Sequence, residues 1–265
     1  MGVIEAVKKG FGIATKSLSL VAVLIIFNLI WNLASIPLAR QGGIQAPGAA
    51  PIPQITAAAL LFSIVFIVVS IFVQGGALGL VKDYIKEGKM KLANFPSYGF
   101  KYYLRLLGLG LIIILIIGII ALIAALIIAA TAPLNNTVVT VIASIIAIII
   151  GAAGLYYVLL LIMSPYSLVC DETGVIGSMK KSIGIVRKAV GRVLLLLVLL
   201  ILISLGIGFV IGFLTGLVTV AMPAGAGQVV IGIVNSIFNG YLGIVMMAAF
   251  MVFYLALTGK EKAAA

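Results

Sequence analysis

Histidine is absent from this chain, acidic residues number six, and cysteine occurs once. Without His, catalysis loses its most versatile proton carrier and metal binding its commonest ligand. The six carboxylates (Glu5, Asp83, Glu87, Asp171, Glu172, Glu261) all fall in short polar segments, never within a long apolar one. No glycine-rich phosphate loop, zinc-ligand cluster or nucleophile elbow occurs. Asp171-Glu172 is the one conceivable acid/base pair, yet Asp171 reads more simply as a cap on the helix that follows it. The expectation is a non-enzymatic protein with no cofactor and no metal. A lone Cys170 excludes an intrachain disulfide and reads as a small interfacial residue.

Charge is also scarce, at 9% of residues against 64% apolar, where a soluble domain carries about 25% charged. What charge exists is confined. Lys16 to Arg40 encloses 23 uncharged residues, Arg40 to Lys82 encloses 41, Arg105 to Asp171 encloses 65 and Arg192 to Lys260 encloses 67. A helix crossing a hydrocarbon core of roughly 30 Å needs about 20 apolar residues. The gaps therefore hold one, one, two and two spans, near 18–38, 56–80, 106–131, 138–163, 193–219 and 229–257. The fold class is an all-α, polytopic membrane protein with six transmembrane helices, forming a single membrane domain over 1–265.

The net charge of +11 does not argue for nucleic acid, because the cations flank spans instead of forming one continuous basic face. Lys and Arg concentrate on the cytoplasmic side of short-looped membrane proteins. That rule places both termini, 82–105 and 171–192 inside a plasma or inner membrane, with Arg40 alone outside. The first apolar run is longer than a signal-peptide core of about 7–15 residues, so it reads as a retained helix. The external loop 39–54 is rich in Gly, Pro and Ala, and Asn135-Asn136-Thr137 reads as a turn between spans three and four.

The basic segments have helical periodicity. Val175, Met179, Ile183, Val186, Val190 and Val193 mark one face of an interfacial helix, with Lys180, Lys181, Arg187, Lys188 and Arg192 on the other. Segment 82–105 reads as broken: a short helix ending at Gly88 and a restart at Asn94-Phe95-Pro96-Ser97. Its Phe95, Tyr98, Phe100, Tyr102 and Tyr103 suit headgroup depth.

These segments also repeat. Residues 8–16 (KKGFGIATK) align without gaps to 180–188 (KKSIGIVRK), with five of nine identical, and each precedes a span. Gly12, Gly99 and Gly184 recur at spacings of 87 and 85. Leu80-Val81-Lys82-Asp83 and Leu168-Val169-Cys170-Asp171 lie 88 apart. Three tandem parallel units follow, 1–88, 89–172 and 173–265, each an amphipathic helix and a transmembrane hairpin.

Within the spans the polar groups are few. Asn28 and Asn32 sit four apart in span one, Asn235 and Asn239 four apart in span six. Hydrocarbon offers no hydrogen bonds, so such amides clamp helices together or line a polar cavity. Gln74 is a further lining candidate. Span five carries Ser204, Gly208, Gly212 and Gly216 at every fourth position, and span six carries Gly232, Ser236 and Gly240. Small residues at that spacing form a groove for a second helix, from span six or from another copy in a homo-oligomer.

Pro165-Tyr166-Ser167-Leu168-Val169, Asp171-Glu172-Thr173-Gly174, Lys180-Lys181-Ser182 and Arg187-Lys188 together resemble a pattern in prokaryotic six-span families. Among these is the membrane domain of some glycerophosphodiester phosphodiesterases, where a span ends near Pro-Tyr and a basic surface helix precedes the next. The likeness covers about 30 residues and implies a helical membrane module, not the phosphodiesterase activity. The expected function is action at the cytoplasmic lipid surface, as a lipid organiser, membrane shaper or scaffold. Lys8, Lys9, Lys16, Lys101, Arg105, Lys180, Lys181, Arg187, Lys188 and Arg192 would contact anionic lipid. The alternative is a transporter or channel for a neutral or apolar solute, with Asn28, Asn32, Asn235 and Asn239 along its path.

Overall fold

In the computed structural model the described residues, 1–41, 57–131, 133, 136–220 and 222–260, are almost all helical and contain no strand. Residues 42–56, most of the expected external loop, lie outside them, as do Ala132, Leu134 and Asn135 of the turn and the tail from Glu261. The helices are α1 (Val3–Lys16), α2 (Leu18–Gln41), α3 (Ala57–Glu87), α4 (Phe95–Thr131), α5 (Thr137–Leu161), α6 (Ser164–Cys170), α7 (Val175–Arg187), α8 (Val190–Val220) and α9 (Ala224–Leu257), with a short 3₁₀ turn at Leu92–Asn94. Six of them are long and apolar enough to cross a membrane. The apolar windows of α3 and α4 bury none of their residues in protein. Leu111, Ile114, Leu122, Ile148 and Phe209 are all more than half exposed. An apolar surface of that extent needs hydrocarbon, not water, around it.

Local chemistry sets the helix ends. Asn136 Oδ1 accepts from the backbone N–H groups of Val138 and Val139, at 3.0 and 3.3 Å, and so caps α5. Pro165, in the first turn of α6, has no N–H to give, and the fourth span breaks at Ile162–Met163 just before it. Gly88 ends α3 in the left-handed conformation (φ 68°) with its N–H on Tyr84 O. The expected short helix after span two is instead the uninterrupted end of α3. No Gly or Pro lies between Leu80 and Glu87 to stop it.

The chain forms two compact units, Met1–Tyr102 with Leu195–Ala265, and Tyr103–Leu194. In the first, α9 is the core helix, and its stretch Ala248–Leu255 is buried on every side. α2 crosses it closely at Gly240, where an added Cβ would sit 2.8 Å from Ile25 N. α1 lies on it at Gly10, where an added Cβ would meet Val245 O at 2.7 Å. The start of α4 lies on α3, with Phe95 over Gly76, Tyr98 over Gly79 and Phe72 over Gly99. Tyr102 is fully buried. These aromatics are therefore packing residues more than headgroup anchors; of the five named, only Phe100 is strongly exposed, at 74%.

In the second unit α7 lies on α5 and α6. Ser182 Oγ donates to Leu160 O at 2.6 Å, and Gly154 lets Ile120 approach α5. Across both units a common rule holds. Each basic segment rests on the charged end of an even-numbered span: the start of α4 on α3, α7 on the α5–α6 span, and α1 on α9.

Candidate functional site

Two groups of residues carry functional interest: the cationic helices and a polar pocket among the spans. α1 and α7 are equivalent beyond the nonamer that reveals them. Residues 2–16 and 174–188 (GVIEAVKKGFGIATK and GVIGSMKKSIGIVRK) match at eight of fifteen positions. Both helices start from an extended glycine, Gly2 and Gly174. The same register positions turn inward: Ala6 and Ser178, Val7 and Met179, Gly10 and Ser182, Ala14 and Val186 are all buried. The same positions turn outward, with Lys8, Lys180, Lys16 and Lys188 exposed beside open glycines, Gly12 and Gly184. Ile4 and Ile176 are exposed too, at 65% and 64%. The expected inward face of α7 shifts accordingly: Ser178 and Ser182 are buried, while Val175 and Ile183 are only half so. Extending the nonamer alignment six residues upstream would have found the shared Gly-Val-Ile.

Not every cation projects freely. Lys181 Nζ lies 2.6 Å from Asp171 Oδ2, whose side chain is only 5% exposed. Asp171 thus ties α7 to the end of α6, and Gly174, not Asp171, sits at the N-cap of α7. The carboxylate is thereby held by a charge-assisted contact to the helix it precedes. Asp83, its counterpart 88 residues earlier, accepts from Tyr98 Oη at 2.6 Å and ties the start of α4 to α3. Lys82 Nζ, buried, lies 3.4 Å from Tyr102 Oη, and Lys101 stands 5.4 Å above the Tyr102 ring. Arg105 Nη1 donates to Glu172 O at 3.1 Å, supporting a residue held at φ 56°. Lys9 pairs with Glu5 at 3.5 Å on the exposed face of α1. Arg187 and Arg192 are exposed.

The intramembrane amides part company. Asn32 Nδ2 donates to Ser236 Oγ at 2.9 Å, and Ser236 donates in turn to Gly232 O at 2.6 Å. This is the clamp between α2 and α9, made by an amide and a hydroxyl instead of two amides. Asn32→Leu is expected to cost about 1 kcal/mol in thermal or SDS unfolding, and an unaltered transition would remove the clamp. Asn235 is exposed and makes no hydrogen bond among the described residues. Asn28 and Asn239 meet elsewhere, in a pocket of about 250 Å³ that also includes Ser70 and Gln74 of α3. Ser70 carries no sequence signal that sets it apart from other span hydroxyls.

The small residues also take unexpected partners. Gly232, Ser236 and Gly240 of α9 face Asn32, Leu33 and Ile25 of α2, not α8. On α8 a Cβ added at Gly208 would meet the Phe238 ring of α9 at 3.6 Å, one added at Gly212 or Gly216 would meet nothing within 4 Å, and Ser204 is half-buried. Both helices offer small residues, but α2 brings bulky side chains that fill the α9 groove. Among the described residues no group of three His, Cys, Asp or Glu side chains is placed to hold a metal.

Six long apolar helices, with their cationic segments folded against span ends, define a polytopic α-helical membrane protein. The chain belongs to the family described as domain of unknown function DUF7847, whose model matches residues 1–257. No curated protein and no solved structure matches it.

Proposed function

We propose that the protein is a non-enzymatic membrane protein that gathers anionic lipid at the cytoplasmic face, with its basic segments on that side. The observation that carries this reading is the twinning of α1 and α7. Two helices at separate places in the chain present the same surface: an exposed lysine at 8 and 180, a terminal lysine at 16 and 188, and an exposed isoleucine at 4 and 176. An exposed apolar side chain beside lysines suits the boundary between headgroups and acyl chains. There the isoleucine enters hydrocarbon while the lysine stems reach up to phosphate. Each Lys or Arg near an anionic surface contributes about 1 kcal/mol. Lys181, held by Asp171, positions α7, and the outward cations make the lipid contacts. The absence of charge from the spans is consistent with this role.

The test is lipid enrichment around the intact protein. Purified from a mixture of phosphatidylglycerol and phosphatidylcholine into nanodiscs, the wild type should retain excess phosphatidylglycerol by mass spectrometry, and salt should diminish the excess. A variant with Gln at Lys8, Lys16, Lys180, Arg187 and Lys188 should fall to the bulk ratio. Equal enrichment in both proteins would end the lipid-gathering role.

A further inference from the structure

The pocket among α2, α3 and α9 is built with a regularity the lipid reading does not use. Each helix contributes three residues from successive turns of one face: Leu24, Phe27 and Asn28 from α2, Ser70, Val73 and Gln74 from α3, and Asn239, Gly243 and Met247 from α9. Gln74 lies eight residues before Lys82, about 12 Å along the helix, so the pocket sits within the hydrocarbon. Acyl chains offer these side chains no hydrogen bonds there. Asn28 Nδ2 already donates to Leu24 O at 2.8 Å, and Ser70 Oγ to Ile67 O at 2.8 Å. That leaves the Asn28 carbonyl oxygen and the Ser70 lone pairs as acceptors, and one Asn28 N–H as a donor. Gln74 and Asn239 make no hydrogen bond among the described residues, and each supplies both a donor pair and an acceptor.

We infer that this pocket binds a neutral polyol group. No charged residue lines it, so an ion would enter without a countercharge. Hydroxyls both give and accept hydrogen bonds, which matches three amides that can do both and a serine that accepts. The space is an open groove of about 250 Å³ with Gln74 and Asn239 exposed along it, so it admits a small polyol group from the surrounding bilayer, below the roughly 300–1,000 Å³ of drug-sized sites. Two sources carry this chemistry: a free glycerol-sized polyol, or the glycerol hydroxyl of a neutral diacyl lipid reaching the pocket from the bilayer. The inference stands apart from the anionic-lipid reading, because it uses none of the cations.

The experiment is calorimetric titration of the full chain in detergent with glycerol and, separately, with dioctanoylglycerol. Saturable binding of glycerol identifies a soluble source, and saturable binding of dioctanoylglycerol alone identifies a lipid source. Either must weaken about tenfold or more in Gln74→Leu/Asn239→Leu, which removes the two uncommitted amides. Ser70→Leu fills the pocket from α3 while breaking only a bond to its own helix; it should weaken binding alike, and it decides the matter if the double variant does not fold. Saturation by neither probe, or undiminished binding in the folded variants, overturns the site.

Discussion

Gly240→Leu is expected to unfold the first unit or to cost at least about 3 kcal/mol. The Cβ of any residue at 240 would stand 2.6 Å from Ile25 Cγ1, 2.8 Å from its N and 3.0 Å from its Cα. A side-chain tip can swing away from such a contact, but a helix backbone cannot. α2 would have to lift from α9 over its length, losing the Asn32–Ser236 bond one turn away. Overpacking in a tight core typically costs 1–3 kcal/mol, and more where the neighbour cannot yield. Gly212→Leu is the matched control. A Cβ there meets nothing within 4 Å, so the change should be close to neutral, with the gain of helix propensity in its favour. Thermal unfolding in detergent with size-exclusion chromatography reads both. Equal losses at 240 and 212 would mean that the α2–α9 approach is not what holds this unit together.

Lys181→Ala is expected to cost about 3 kcal/mol, and more than Asp171→Asn. Asp171 is nearly fully buried, whereas Lys181 keeps 36% of its side chain exposed. Removing the lysine takes a full positive charge from a carboxylate whose side chain is only 5% exposed, and breaking a buried pair in that way is costly. Removing the carboxylate charge leaves a lysine that can swing its ammonium to solvent. Asp171→Asn also keeps the volume and a hydrogen-bonding oxygen. The pair joins α6 to α7, so protease cleavage between Cys170 and Val175 should rise in the lysine variant. If the two substitutions prove equally mild, the pair contributes no more than an exposed ion pair, and α7 is held by Ser182 and its apolar contacts instead.

These two results concern features of opposite legibility. The charge deserts were readable from the sequence because a span depends only on a length of chain without charges. The twin basic helices were readable because helical periodicity shows in the order of residues. Gln74, Asn28 and Asn239 stood out singly, being amides in otherwise apolar runs. Their meeting in one pocket depends on how α3 is rotated against α2 and α9, which no local pattern encodes.

Sequence alone therefore determined the all-α class, the six membrane-length helices, the break at Gly88, and the equivalence of the basic segments that become α1 and α7. Each follows from the chemistry of a short stretch of neighbours. Only the tertiary structure decided that the glycines of α9 receive α2 and not α8. It likewise decided that Asp171 holds Lys181 instead of capping α7, and that Asn32 finds a serine. A small residue, a carboxylate or an amide states what it needs. Which distant helix meets that need is settled by side-chain volumes and helix rotation across the whole unit.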